Sequence, residues 1–356
     1  MNPATRPPQI STRNLKRLKL AALALTLFGL ALFAYFIYAV GFNEIYLGVS
    51  TFGIDGFVVI VLLYFLRICA RAAAWKLSVH EPFSLRLRDT VPAVVIGEAM
   101  SSTIPLGIMV SGTSKTLAVR KHIPLVAGFS SVATENLFYS LVTCIFLILG
   151  AISLLYHFTL DQSSTTAINL LIGILIILII LGFVMVIRQW HALSTLCEWL
   201  YKKGILARLL ARGRKQARRF EELIYDFYRS YPRRFLPICL LQVAYHALGI
   251  IEVLYVLSRL DTAVSTLLNA FLLESVSRLI TIIFKLIPFV MGVDEAGAQF
   301  VGETLGLAAG VGVTLAIIRK GRILFWTAIG MLLIVKRGLT FHGIEPSEQP
   351  DAIYTN

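Results

Sequence analysis

Residues 20–40, 123–151, 166–187 and 236–257 form apolar stretches that reach the length of roughly 20 residues a helix needs to cross a bilayer. Hydrocarbon offers backbone amides no water, so such stretches fold as helices that satisfy their own hydrogen bonds. Of the 356 residues, 57% are hydrophobic and only 15% charged, and the mean hydropathy is +0.78. Soluble domains sit near about 45–50% apolar and about 25% charged. The fold class is therefore an all-α polytopic integral membrane protein.

The basic start (Arg13, Lys16, Arg17, Lys19) precedes an apolar run too long for the roughly 7–15 residues of a signal-peptide core. That run reads as a first transmembrane helix rather than a cleaved leader. Cys69, Cys144, Cys197 and Cys239 form no C-x-x-C pair, so neither a disulfide framework nor a zinc site is expected. The net charge of +13 does not point to nucleic acid. Twelve Lys/Arg lie between Arg188 and Arg234, as in a cytoplasmic loop under the positive-inside rule.

Charge placement predicts a topology. Residues 1–19 are a cytoplasmic N-terminus and 20–40 crosses outward. The link 41–53, with Glu44 and no Lys or Arg, lies outside. Helix 54–70 returns to a basic cytoplasmic border that holds Arg67, Arg71, Trp75 and Lys76. Helices 123–151, 166–187, 236–257 and 308–335 complete about six full spans around the basic loop 188–235. The transmembrane domain covers 20–338, and the polar tail 339–356 reads as disordered and cytoplasmic.

Two segments break this scheme. Residues 91–110 carry Gly97, Glu98, Ser101, Ser102, Pro105 and Gly107, and Lys115, Arg120 and Lys121 follow. Basic residues on both flanks predict entry and exit on the cytoplasmic side. Residues 263–290 carry Glu274, Arg278, Lys285 and Pro288, and the acidic Asp294, Glu295 and Glu303 follow, a flank that suits the outside. The expectation is two re-entrant or broken helical hairpins, within units 91–151 and 263–335, forming an inverted repeat. Aligning Pro105 on Pro288 sets Asn136 against Arg319.

Ionisable side chains inside apolar sequence are expensive and mark substrate paths or mutual partners. Arg319 and Arg278 suit a phosphate first, because a guanidinium fork binds two oxygens, and Arg322 is a further basic candidate. Glu98, Glu135 and Glu274 are the expected counter-charges, joined by Lys115, Lys285, Asp294 and Glu295. Plainer readings compete. Glu274 and Arg278, four apart, can neutralise each other on one helix face. Asp294-Glu295 can cap a helix, and Lys115, Arg120 and Lys121 can snorkel. His246 and Glu252 are isolated polar residues on different helix faces and rank low. In the basic loop, Trp190, Leu193, Cys197 and Leu200, then Phe220, Leu223, Ile224 and Phe227, have the spacing of amphipathic helices lying on the membrane. There Arg208, Arg212, Arg214, Lys215, Arg218 and Arg219 would meet anionic lipid head groups, unless the loop is only topogenic.

The run Ile104-Pro105-Leu106-Gly107 … Lys115 … Val119-Arg120 … Ile123-Pro124 … Thr134-Glu135-Asn136 resembles the flippase-like membrane domain of lysylphosphatidylglycerol synthase and its stand-alone relatives. The second half is closer: Leu286-Ile287-Pro288 … Gly292-Val293-Asp294-Glu295 … Ile318-Arg319 … Gly330. Arg67 … Arg71 … Trp75 resembles the end of the family's early helix. The first half departs from the pattern. Met109-Val110 stands where the family carries Gly-Glu, Thr113 where it carries Arg, and Glu135-Asn136 where it carries Glu-Arg, as in a divergent branch.

The resemblance implies an inner-membrane protein that moves a membrane phospholipid or lipid-linked substrate between leaflets. It does not extend to the soluble aminoacyl-transferring domain, so lipid aminoacylation and enzymatic activity are not expected. No cofactor is expected either, and no G-x-x-x-x-G-K-[ST] motif occurs. A membrane-embedded head-group transferase and an ion-coupled solute transporter are the alternatives. The first would need an acid/base set, but the six histidines are scattered.

Overall fold

The computed structural model describes residues 38, 42–103, 107–202, 207–260, 265–284, 287–290, 292–308 and 310–337. The expected first helix (apart from Tyr38), Pro105, Lys285 and the polar tail lie outside the described residues. Among those described there are eleven α-helices and no strand. They are α1 Phe42–Leu77, α2 Leu87–Thr103, α3 Gly107–Ala118, α4 Leu125–His157, α5 Gln162–Ile187 and α6 Ala192–Lys202. Then follow α7 Ala207–Ser230, α8 Phe235–Leu260, α9 Leu267–Ile283, α10 Val293–Thr304 and α11 Val311–Arg337.

Among the described residues, four helical segments are long and apolar enough to cross a membrane: Val49–Leu77, Leu125–His157, Gln162–Ile187 and Pro232–Leu260. The expected span 308–335 is helical too, but Arg319, Lys320 and Arg322 sit within it. The link 41–53 has regular structure. It is helical from Phe42 and breaks at Gly53, where φ is 73°. That left-handed backbone suits glycine and redirects the chain within the helix.

α5 has almost no polar residue past its first turns and little of it is buried. A helix apolar on every side with few protein neighbours is at home in hydrocarbon, not in water. Its start is fixed by Asp161, whose carboxylate accepts from the amides of Ser163 (3.0 Å) and Ser164 (3.1 Å). The Ser164 side chain and these amides hold that carboxyl below its usual range.

The helices fall into two similar sets. In each, a helix of 17 residues (α2, α9) is followed by a break, a helix of 12 residues (α3, α10) and a long closing helix (α4, α11). Each set is preceded by a long helix, α1 or α8, and these two pack on one another. The remaining contacts are reciprocal. α1 meets α2 and α11, while α8 meets α9 and α4; α2 meets α11, while α9 meets α4.

Glycines mark the same places in both sets. A Cβ on Gly128 of α4 would strike Thr116 of α3, and one on Gly312 of α11 would strike the Ala298 carbonyl of α10. A Cβ on Gly150 would lie 2.6 Å from Ser275 of α9, and one on Gly330 2.5 Å from Ala99 of α2. The offset that aligns Pro105 with Pro288 brings Gly128 within one residue of Gly312 and Gly150 within three of Gly330.

Two apolar clusters fill the bundle. One takes Phe52 and Ile60 of α1 with Val253, Leu257, Leu273 and Leu315. The other takes Ile68, Ala72 and Trp75 of α1 with Val94, Val95, Val119 and Val132. Arg67 falls between them along α1.

The loop 188–235 differs from expectation. α6 and α7 pair with each other, and α7 packs on α4. Phe227 is buried and, with Tyr228 and Phe235, surrounds the Phe138 ring of α4 at 5.3–6.4 Å. This part of the α7 apolar face therefore meets protein instead of lying on a membrane. Trp190, Leu196 and Trp199 remain exposed.

If the glycine crossings hold the two sets together, Gly330→Val must displace α2. It should cost about 1–3 kcal/mol by overpacking. Gly182→Ala, which meets nothing within 4 Å, should be neutral or stabilising by up to about 1 kcal/mol. Thermal melts in detergent check both.

Candidate functional site

Three helix stripes meet at the junction of the two sets. On α1, Tyr64, Arg67, Arg71 and Trp75 recur at three- and four-residue spacing, so they share a face. On α11, Arg319, Arg322, Trp326 and Gly330 have the same spacing. On α8, Gln242, Tyr245, Gly249 and Glu252 do likewise. α9 adds Glu274 and Arg278.

Arg67 is only 1% exposed. Its two terminal nitrogens part between two carboxylates, Nη1 to Glu252 at 3.2 Å and Nη2 to Glu274 at 3.1 Å. Glu274, fully buried, also accepts from Arg278 (2.8 Å) and Arg319 (2.6 Å). Glu252, fully buried too, accepts from Arg322, and Arg319 Nε stands 3.6 Å away. The Tyr245 ring lies 4.5 Å from the Arg67 guanidinium and 5.3 Å from that of Arg278, and its hydroxyl accepts from Arg278 (3.3 Å). Arg322 lies over Tyr64 at 4.0 Å. Aromatic faces attract such cations. The packing depends on Gly249: a Cβ there would lie 2.5 Å from Glu274 Oε1 and 3.1 Å from Arg67 Cζ.

A second group belongs to the first set. Arg71 Nε reaches Glu135 at 3.1 Å, its Nη2 donates to Asn136 Oδ1 at 3.1 Å, and its Nη1 stands 3.9 Å from Glu98. Glu135 also accepts from Gln242 (3.1 Å) and faces Lys115 at 3.8 Å. Tyr64 donates to Glu98 at 2.7 Å. A third group joins Lys320 to Glu295 (2.6 Å) and Asp294 (3.9 Å), and Ser277 donates to Asp294 (2.8 Å).

The structure thus brings together Glu274, Arg278, Arg319 and Arg322, and sets Glu98, Lys115, Glu135 and Asn136 beside them. Asn136 and Arg319 both project from closing helices into this junction, one to Arg71 and the other to Glu274. Several expectations change. Arg67, Arg71 and Trp75, expected at a basic border, turn inward to protein partners. Arg67 and Trp75 are fully buried, and Trp75 donates to Ser131 (3.0 Å). Lys115, 2% exposed, does not snorkel, whereas Arg120 and Lys121 are exposed.

Asp294 and Glu295 do not form an exposed flank. They open α10, where Glu295 accepts from the Gly292 amide (2.8 Å) and holds Lys320. Glu252, ranked low on sequence, is central, whereas His246 contacts Thr143 (3.0 Å) and stacks on Phe146. Glu252 shares its helix face with Tyr245 and Gly249 at spacings of seven and three, a signal that comparing it only with His246 missed. Of the loop cations, Arg218 and Arg219 are exposed, and Arg218 pairs with Glu222 at 2.9 Å. Arg208, Arg212, Arg214 and Lys215 lie on α7.

Chemically, the junction is rich in donors. Around Glu252 and Glu274, four guanidinium groups face two carboxylates. The Nε atoms of Arg67, Arg278 and Arg322 are buried and have no hydrogen-bond partner among the described residues.

A family model described as the lysylphosphatidylglycerol synthase TM region matches residues 19–330. The chain belongs to this family. Comparison with curated proteins and with solved structures gives no match. The lysylphosphatidylglycerol synthase TM region takes in both helix sets and the whole junction of charges. It also takes in the loop helices α6 and α7. The membrane assignment drawn from the apolar helices agrees with it.

Because Arg67 serves two carboxylates at once, Arg67→Lys cannot replace it: an ammonium has no fork. This variant should lose about 3–5 kcal/mol, the usual effect of uncoupling a buried ion pair. Arg120→Ala, at an exposed position, should stay within about 0.5 kcal/mol. Denaturant or thermal melts in detergent distinguish them.

Proposed function

We propose that this protein is a flippase. It moves a lipid or lipid-linked amphiphile with a phosphate-bearing head group between the leaflets of a bacterial-type inner membrane. The observation that carries this reading is the excess of buried guanidinium groups over carboxylates where the two helix sets meet. A head group crossing hydrocarbon loses its water, and fixed donors and counter-charges replace that water. Arg278, Arg319 and Arg322 take the phosphate, with Arg67 behind them.

In this reading the α2–α3 and α9–α10 pairs are re-entrant hairpins that enter from opposite faces, so the two sets form an inverted repeat. Both termini are cytoplasmic. The two sets rock about their junction to expose it to each leaflet in turn. Exposed Arg218 and Arg219 meet anionic head groups at the membrane surface. Family membership supports a lipid-related role. No acid/base pair is built around His246, so the transferase alternative gains no support from it.

The test is reconstitution in liposomes with fluorescent phosphatidylglycerol, followed by quenching of the outer leaflet. The wild type should speed the exchange of label between leaflets. Arg319→Ala, which removes a charge-assisted contact worth about 1.5–3 kcal/mol, should slow it about tenfold or more. Unchanged leaflet exposure with wild-type protein would overturn the reading, and a chemically altered lipid would favour a transferase.

A further inference from the structure

The two central carboxylates are held differently. Glu274 takes three arginines, all within 3.1 Å, and packs closely against Gly249. Glu252 is held closely by Arg322 and at longer range by Arg67 (3.2 Å) and Arg319 (3.6 Å). Arg322 lies behind the wall of a small cleft, next in the chain to Ile323, which lines it. Tyr64, over whose ring Arg322 lies, forms one wall of that cleft together with Glu98, Ser102, Trp326 and Thr327. Trp326 of this cleft and Arg322 behind it each bury an N–H that has no acceptor among the described residues, Trp326 Nε1 and Arg322 Nε. They lie four residues apart on α11, hence on one face.

Charge argues in the same direction. Among the described residues the three ion-pair groups hold seven cations (Arg67, Arg71, Lys115, Arg278, Arg319, Lys320, Arg322). They hold six carboxylates (Glu98, Glu135, Glu252, Glu274, Asp294, Glu295). One positive charge is left over, beside buried N–H groups that have no acceptor among the described residues, an arrangement that suits an anion.

Resting on the flippase reading, we propose that Glu252 is an internal competitor of the transported head group. In the closed state its carboxylate occupies Arg322. A phosphate entering between Tyr64 and Trp326 accepts from Arg322 Nε and Trp326 Nε1 and displaces Glu252. The return of Glu252 to Arg322 releases the phosphate on the other side. Glu252 is thus a specificity-setting residue: an anionic head group competes with a carboxylate for arginine, and a neutral one does not. Glu274 holds the arginines in place throughout.

The test measures binding of dihexanoyl phosphatidic acid to the full-length protein in detergent, with inorganic phosphate and dihexanoyl glycerol as separate probes. Transport of labelled phosphatidylglycerol is measured in parallel. Glu252→Gln should bind the short-chain phosphatidic acid about tenfold tighter, the scale of one charge-assisted contact, yet transport more slowly, because release loses its competitor. Glu274→Gln should show no tightening. Trp326→Phe, which keeps the ring and removes the N–H, should weaken binding several-fold without lowering the melting temperature of the ligand-free protein. Binding of inorganic phosphate alone at matching affinity would identify a free anion as the ligand and overturn the lipid assignment. If Glu252→Gln does not fold, Glu252→Asp, whose carboxylate is drawn back by one methylene, should tighten binding to a smaller extent. Wild-type protein that prefers phosphatidic acid, with Glu252 variants that bind equally or more weakly, overturns the competitor role and leaves the flippase reading intact. Wild-type protein that does not distinguish phosphatidic acid from dihexanoyl glycerol overturns both.

Discussion

The bundle depends on one guanidinium. Arg67 lies between the two apolar clusters along α1 and parts its fork between Glu252 of α8 and Glu274 of α9. Without it, two carboxylates from the second helix set would face the first with fewer partners, in a setting where an unpaired charge is strongly destabilising. Glu274 then organises Arg278 and Arg319, and Glu252 organises Arg322. The aromatic faces of Tyr64 and Tyr245 cover cations that carboxylates do not fully serve. Buried ion pairs of this kind are weak contributors to net stability. Their presence at the centre of a membrane bundle speaks for a task other than holding it together.

Packing around that centre is set by small residues. In hydrocarbon, helices gain nothing by hiding leucine from lipid, so close approach at glycine is a main source of association. The crossings at Gly128, Gly150, Gly312 and Gly330 bring backbones near enough for dispersion and recur in both sets. The frame is therefore repeated while the chemistry it holds is not. The first set balances Arg71 and Lys115 with Glu98 and Glu135. The second, with Arg67 reaching across, sets five cations (four arginines and Lys320) against four carboxylates among the described residues.

Much of the frame was legible in the sequence. Apolar runs gave four of the long helices, and the alignment of Pro105 with Pro288 set Asn136 against Arg319, which both project from closing helices into the junction. α10 was foreshadowed only by the alternative that Asp294-Glu295 cap a helix, because Val293–Thr304 is short, glycine-containing and only mildly apolar. Its acidic start therefore read as an exposed flank. The inward direction of Arg67 and Arg71 was missed for a different reason. Charge-distribution rules count cations near a helix end, and they do not register which way a side chain faces. On α7 the periodicity of Phe220, Leu223, Ile224 and Phe227 was right, but periodicity cannot say whether the apolar face meets lipid or protein. Phe138, the ring it meets, is about ninety residues away in the chain.

Each central carboxylate is shared by three arginines, and two of those arginines touch both carboxylates. The worth of any one side chain therefore depends on which others are present, and contributions within such a group are not additive. Arg67, Glu252, Glu274, Arg278, Arg319 and Arg322 form a single unit of inheritance. A second change in this group will often do little further harm, and a loss at one member can be offset only by a change at another.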